Sequence, residues 1–306
     1  MTTRPDSVDL PPPPDPRALL RAAGLDAKKS WGQNFLHDQR VLASIAAATV
    51  RPTPHPVVEL GAGLGALTYY LVQHHPLVLA VERDREIAPL LRTSLAWSQA
   101  LQVREADAAH LDYAALAAEL GGPLIVAGNL PYQIGSRILV ELADHAPSIV
   151  AATVLIQREV AVRLTAAPGS RTYGLLSVLV QRSFTARILR HVPPGAFFPA
   201  PKVTSSVVQL ERRDPLRAPA DDHALVAAAR AAFSSRRKTL RNALAVGLDA
   251  PPAAIETALR SSAVDPQARA ETLDLDAFAR LGDALTAAGL LPPASDGTHP
   301  VSCRTR

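Results

Sequence analysis

Residues 127–136 read AGNLPYQIGS. The stretch sets an amide, Asn129, a rigid proline, Pro131, and an aromatic ring, Tyr132, close together, with no acid, base or nucleophile from Asn129 to Tyr132. Three further features could work with it. GAGLG places Gly61, Gly63 and Gly65 in a turn whose backbone can approach a ligand closely. Glu82 ends an apolar run 21 positions after Gly61, where a carboxylate can accept both hydroxyl protons of an adenosine ribose. Asp107, in READAAHLD, follows a third run, where an acid can accept the amino group of an adenine. Each feature also has a plainer reading. The glycines could simply form a tight turn, and Glu82 could be a surface acid in Glu82-Arg83-Asp84-Arg85. Asp107 could cap a helix, and Asn-Leu-Pro-Tyr could be a turn leaving a strand.

The glycine spacing is G-x-G-x-G, not the G-x-G-x-x-G of dinucleotide enzymes. Together with Asp107, that favours S-adenosylmethionine over NAD. The amino nitrogen of adenine is a poor nucleophile because its lone pair is delocalised into the ring, whereas a sulfonium methyl is already activated. The reaction therefore needs neither a strong base nor a metal. It needs acceptors that hold the amino protons so that the lone pair faces the methyl group. Asn129 offers a side-chain carbonyl and Leu130 a backbone carbonyl, Pro131 stiffens the loop, and Tyr132 can stack on the base. This is catalysis by positioning and preorganised electrostatics, and it points to amino-group methyl transfer.

Strand-like and helix-like stretches alternate through the segments that must hold these residues. VVEL (57–60), LVLAVE (77–82), LQVRE (101–105), PLIVAG (123–128) and AATVLIQ (151–157) read as strands. ALTYYLVQHH and SRILVELADHA read as helices between them. The pattern predicts an α/β fold: a Rossmann-like, mostly parallel sheet with helices on both faces. SFTARILRHV and KVTSSVVQLE are expected to close the sheet as an antiparallel pair. Beyond Arg213 only helical spacing is found, so a small all-helical domain is predicted over 215–291, after a catalytic domain over 17–214. The Pro-rich residues 1–16 and the tail 292–306 read as disordered.

At 306 residues the chain can hold two such domains. No run approaches the ~18 apolar residues of a membrane span, and the start lacks the apolar region of a signal peptide. A lone cysteine, Cys303, cannot form an internal disulfide, which fits a reducing cytoplasm. The formal charge is +4, so its distribution matters more than its sum. Arg182 to Arg217 holds seven Lys/Arg against two Asp/Glu, and SSRRKTLRN packs Arg236, Arg237, Lys238 and Arg241 within six residues. On a helix, residues 237, 238 and 241 would share a face. Each cluster alone could be a solvated face; together they favour a polyanion partner.

KKSWGQNFLHD (28–38), ELGAGLGALT, AGNLPYQIGS, FFPAPKVTSSVV (197–208) and FSSRRKTLRNAL (233–244), in that order, resemble the motifs of the ribosomal RNA adenine dimethyltransferases, and among them the bacterial small-subunit (16S) branch. The resemblance implies S-adenosylmethionine as cofactor, with contacts from Asn34, Leu36, Gly61, Gly63, Glu82, Asp107 and Asn129. It also implies that Phe198 stands across the target base from Tyr132. Of Phe197 and Phe198, one is expected buried and one exposed. The implied substrate is two neighbouring adenines near the 3′ end of 16S rRNA, each dimethylated on N6 within the small subunit or its precursor, by a monomer. Gly61-Ala62-Gly63 replaces the family's common Gly-Pro-Gly, a change not expected to affect binding. The competing readings are a 23S rRNA methyltransferase of the macrolide-resistance type, a binding-only assembly factor, and a NAD-dependent oxidoreductase.

Overall fold

The computed structural model describes residues 10–28, 31–216 and 219–291. Helix α1 (Pro16–Ala23), strand β1 (Phe35–Leu36) and helix α2 (Gln39–Thr49) come first. Strands β2 (Val57–Leu60), β3 (Val78–Glu82), β4 (Leu101–Glu105), β5 (Leu124–Asn129) and β6 (Ile149–Gln157) then alternate with α3 (Thr68–Leu71), α4 (Ile87–Ser94), α5 (Tyr113–Leu120) and α6 (Gly135–Asp144). Helices α7 (Arg158–Leu164) and α8 (Leu175–Gln181) lead to β7 (Phe184–Val192), β8 (Phe197–Phe198) and β9 (Ser205–Arg212). The chain continues as α9 (Pro219–Ala232), α10 (Leu240–Gly247), α11 (Pro252–Ser261) and α12 (Leu275–Ala287).

Seven strands form one sheet in the order β4-β3-β2-β5-β6-β9-β7. The strands from β4 to β6 run parallel, and β9 is antiparallel to β6. Every residue of β2 and β3 is buried, as expected of central parallel strands covered on both faces. Helix α2 buries Val41, Leu42, Ile45, Ala46 and Thr49 at helical spacing, and Asp38 caps it by accepting from Val41 N–H at 3.1 Å. Strand order reverses between β2 and β5, and ligands bind beyond the carboxyl ends of strands at such a switch point. The glycine turn leaves β2 there and Asn129 ends β5 beside it. A separate two-stranded bridge pairs Phe35 with Phe198 and Leu36 with Phe197.

Strand assignments match the expected stretches to within a few residues, and ALTYYLVQHH departs most. Only Thr68–Leu71 is α-helical. Pro76 disfavours helical backbone at His75, whose ring is instead tied into the core by Thr49 Oγ1 at 2.7 Å. The expected tail 1–16 also needs correction at its end: Pro16 opens α1, and the Pro11 carbonyl accepts from the Tyr69 hydroxyl at 2.8 Å. Residues 1–9 and 292–306, with Cys303, lie outside the described residues.

By contacts the chain divides into two compact units, 1–161 with 186–212, and 162–185 with 213–306. The expected boundary at 214/215 therefore misplaces residues 162–185. Tyr173 and Val178 share the core of Leu225, Leu240, Leu259 and Phe278 in the second unit. Helical spacing alone does not say which core a helix joins. In that unit α9 and α12 pack so closely that a Cβ on Gly282 would lie 2.7 Å from the Ala224 carbonyl carbon.

Candidate active site

The cleft at the switch point encloses about 990 Å³ including its open mouth. Glu82, at the end of β3, is buried on its rim. One carboxylate oxygen accepts from Gly63 N–H and the other from Asp84 N–H, both at 2.8 Å. Burial pushes its pKa up, and these backbone donors work against that shift. Each oxygen retains lone pairs for a further donor. Gly63 has φ +58°, and a Cβ there would also meet the Phe35 ring at 3.2 Å, so a side chain would close the turn against the cleft wall.

Asn129 donates from Nδ2 to the Asn34 carbonyl at 2.8 Å, while Asn34 Nδ2 donates to the Gly32 carbonyl at 2.9 Å. The first bond fixes the amide orientation and leaves Oδ1 of Asn129 as its acceptor end. Leu130 is anchored through its N–H to the Leu155 carbonyl at 3.0 Å, and the Pro131 carbonyl accepts from Ile134 N–H. The Tyr132 hydroxyl is 2.6 Å from Ser205 Oγ on β9. Partial burial pushes the Tyr132 pKa up, and the Ser205 bond opposes it.

The structure thus brings Asn34, Leu36, Gly61 and Gly63 to the same cleft as Glu82, Asp107, Asn129, Leu130, Pro131 and Tyr132. Asp107 also does what its plainer reading says: Oδ1 caps the short turn 108–110 through Ala109 N–H at 2.9 Å. Its Oδ2 lies 4.0 Å from Arg83 Nη1 and 3.6 Å from His110 Nδ1. Phe197 is buried and Phe198 half-buried. Phe198 does not line the cleft; it packs with Leu20, Phe35, Leu64 and Ile87, under the Arg17 guanidinium at 5.0 Å.

Three features of the site escape the sequence reading. Asp84 is buried and accepts from Lys28 Nζ (2.9 Å), Gln33 Nε2 (3.0 Å) and Glu86 N–H (3.1 Å), which ties the segment before β1 to the end of β3. Burial is the strongest influence on its pKa and raises it, but these donors together hold the carboxyl below its ordinary value. Trp31 is stacked by Lys28 at 4.8 Å and Arg83 at 4.2 Å, and both Trp31 and Arg83 line the cleft. Glu59, in the middle of β2, is fully buried beneath the glycine turn and accepts from Thr68 Oγ1 at 2.6 Å. Its pKa is pushed up to about 8, first by burial and further by the charge of Glu82, against the Thr68 bond. A period-2 pattern gives no signal for an acid facing inward in a fully buried strand.

The basic cluster is corrected. Residues 236–239 form a turn and α10 starts only at Leu240, so 237, 238 and 241 do not share a helix face. The break follows from backbone bonds that Leu240 and Arg241 N–H donate to Ala268 and Pro266 carbonyls across the unit. Arg241 is paired with Glu256 at 3.1 Å, Arg236 donates to the Arg171 carbonyl at 3.0 Å, and Arg237 and Lys238 are exposed. The Arg182–Arg217 excess is also split. Arg182 is buried on Asp222, and Arg217 lies outside the described residues.

A mostly parallel sheet ending in a glycine turn, a buried acid at a strand end and an Asn-Leu-Pro-Tyr loop at one switch point has the architecture of a Rossmann-like methyltransferase. The crystal structure of a dimethyladenosine transferase from Plasmodium falciparum shares this fold, with a TM-score of 0.68 at 22% identity, over 83% of this chain and 98% of that one. That of the 23S rRNA methyltransferase ErmE gives 0.64 at 27% identity, over 83% and 100%. The chain belongs to the family described as ribosomal RNA adenine dimethylase, whose model matches residues 24–286. It is 48% identical over 280 residues to the ribosomal RNA small subunit methyltransferase A of Anaeromyxobacter dehalogenans strain 2CP-C, covering 89% of this chain and 98% of the relative. With its counterpart in Myxococcus xanthus it shares 42% identity over 285 residues, 92% and 97% of the two chains. It is an S-adenosylmethionine-dependent enzyme of rRNA adenine dimethylation. No helix among the described residues is long and apolar enough to cross a membrane.

Proposed function

We infer that the chain dimethylates N6 of two adjacent adenines near the 3′ end of 16S rRNA in the assembling small subunit, as a cytoplasmic monomer. The orientation of Asn129 carries this reading. With Nδ2 committed to the Asn34 carbonyl, Oδ1 is the end that accepts a proton of the target amine. The Leu130 carbonyl, which accepts no hydrogen bond among the described residues, is the second acceptor. Held this way, the adenine nitrogen presents its lone pair rather than its N–H bonds. Bound S-adenosylmethionine supplies a methyl group already activated on sulfur.

The residues present fit that cofactor. Glu82 has acceptor capacity left for the ribose hydroxyls, and Asp107, on the rim, for the adenine amino group. The turn at Gly61 and Gly63 admits the nucleoside against backbone, and Asn34 and Leu36 close the methionine end. Tyr132 stacks on the target base, its ring held through Ser205. Phe198 would take the opposite face only after movement of the segment around it, because here it packs behind the lining residues Phe35 and Leu64 rather than lining the cleft itself. Arg237 and Lys238 are the members of the basic cluster left to meet RNA phosphates, with Arg236 and Arg241 tethered within their own unit.

The 16S reading is preferred over 23S because identity to relatives named for the small subunit reaches 48%, against 27% to the 23S enzyme. The test is tritiated methyl transfer into small subunits lacking the modification, with large subunits as control. Label is expected in the small subunit at two methyl groups per adenine; label confined to the large subunit would overturn the assignment.

A further inference from the structure

Outside the cleft, the first unit carries a row of cations along α2. Near the end of this helix, Gln209 Nε2 donates to the Ala48 carbonyl at 2.9 Å, while its Oε1 accepts from Arg187 Nε at 2.9 Å and Nη2 at 2.6 Å. One turn back, Ser44 Oγ accepts from Arg190 Nη1 at 3.5 Å. Another turn back stands Arg40, so the row covers roughly 12 Å of helix. Just before the helix, His37 Nε2 lies 3.4 Å from Arg17 Nη2, and the Arg17 guanidinium sits over Phe198. Phe198 pairs with Phe35, which lines the cleft.

The way these charges are held differs from an ordinary surface. Arg17, Arg40, Arg187 and Arg190 are exposed, and none of them joins an ion pair among the described residues. Neighbouring acids are otherwise engaged: Glu211 holds Arg51 at 2.6 Å, and Asp38 caps α2. Arg187 and Arg190 are bonded instead to an amide and a hydroxyl, which position a guanidinium without neutralising it. A row of full positive charges, three of them positioned by neutral partners, leading to an aromatic ring beside the cleft is suited to a phosphodiester strand.

We propose that this row docks the RNA backbone flanking the target adenine, with Arg40, Arg187 and Arg190 each meeting a phosphate and Arg17 and Phe198 receiving the strand beside the cleft. The proposal rests on the rRNA methyl-transfer reading and extends it to a surface on the first unit. A strand arriving along α2 reaches the β1–β8 bridge, whose Asn34 side touches Asn129. The track thus leads the chain of nucleotides towards the residues that hold the amine.

The full chain and a variant carrying Arg40→Ala, Arg187→Ala and Arg190→Ala are compared for binding to small subunits lacking the modification, across a salt series. Three lost single-strand phosphate contacts should shrink the slope of log K against log salt by about 2. The corresponding triple Lys variant should restore the slope, because charge rather than shape is invoked. Calorimetric affinity for S-adenosylmethionine should be the same in all three proteins, which checks folding. Free rRNA should compete with the particle, and polyglutamate should not. An unchanged slope in the Ala variant overturns the track, as does weaker binding at an unchanged slope, or competition by polyglutamate alone, which would indicate an acidic protein partner. Methyl labelling of the same particles by the unaltered chain is scored separately. Its failure would sink the methyl-transfer reading while the binding slopes still decide the track.

Discussion

In the cleft, polar side chains are fixed by the backbone around them. Glu82 is held by the N–H groups of Gly63 and Asp84, Asp107 by that of Ala109, and Asn129 by the Asn34 carbonyl. In the basic segment 236–241, neighbouring charges meet different fates: Arg241 is spent on Glu256, Arg236 on the Arg171 carbonyl, and Arg237 and Lys238 face solvent. Strand ends and glycine turns deliver side chains to one place whatever the surface around them. A run of charges delivers nothing by itself, because its partners come from elements distant in sequence. A functional role therefore follows from strand register in the first case and from the surviving free charge in the second.

The sharpest way to break this contrast is Asn129→Ala. If its oriented carbonyl acts as the amine approaches the methyl group, single-turnover methyl transfer should fall roughly 10²-fold or more with particle binding nearly unchanged. Near-normal turnover would remove the acceptor role. Glu82→Ala should weaken S-adenosylmethionine binding by about 1.5–3 kcal/mol by calorimetry, the range for hydrogen bonds to a charged group; unchanged affinity would take Glu82 out of the ribose role.

Glu59 tests the buried side of the cleft by pH. Its folded pKa, about 8, lies above that of an unfolded glutamate, so the folded state binds the extra proton between the two values. Its contribution to stability is fully present below about pH 4.5 and is lost as pH rises through about 8. Glu59→Gln should flatten that decline in urea midpoints measured from pH 5 to 8, by an amount on the order of a few kcal/mol. A parallel pH profile for variant and parent would show that Glu59 is charged in the fold. Tyr132→Phe loses the Ser205 bond, worth about 0.5–1.5 kcal/mol, so turnover should drop no more than roughly tenfold. The smallest effect belongs to the basic segment. Replacing Arg237 and Lys238 by alanine should reduce the salt slope of particle binding by about 1.4–1.8, while Arg241→Ala should barely move it.

Local signals along the chain suffice to place the elements and to say which polar residues meet at the cleft. Apolar runs of strand length, glycines just past the first, and single polar residues at the ends of the others are local signals, and in a parallel sheet all carboxyl ends share one edge. Asn129, Glu82, Asp107 and the glycines therefore converge without any knowledge of packing. Tertiary structure decided what depends on contacts between distant segments. These include the helices of 162–185 joining the second core, Asp84 fastening Lys28 and Gln33, and Glu59 being buried, which raises its pKa. They also include the packing of Phe198 behind the cleft-lining Phe35 and Leu64 and the sorting of paired arginines from free ones. Periodicity reports which residues are buried, but which neighbour a buried acid or an exposed cation meets is set only when the chain closes on itself.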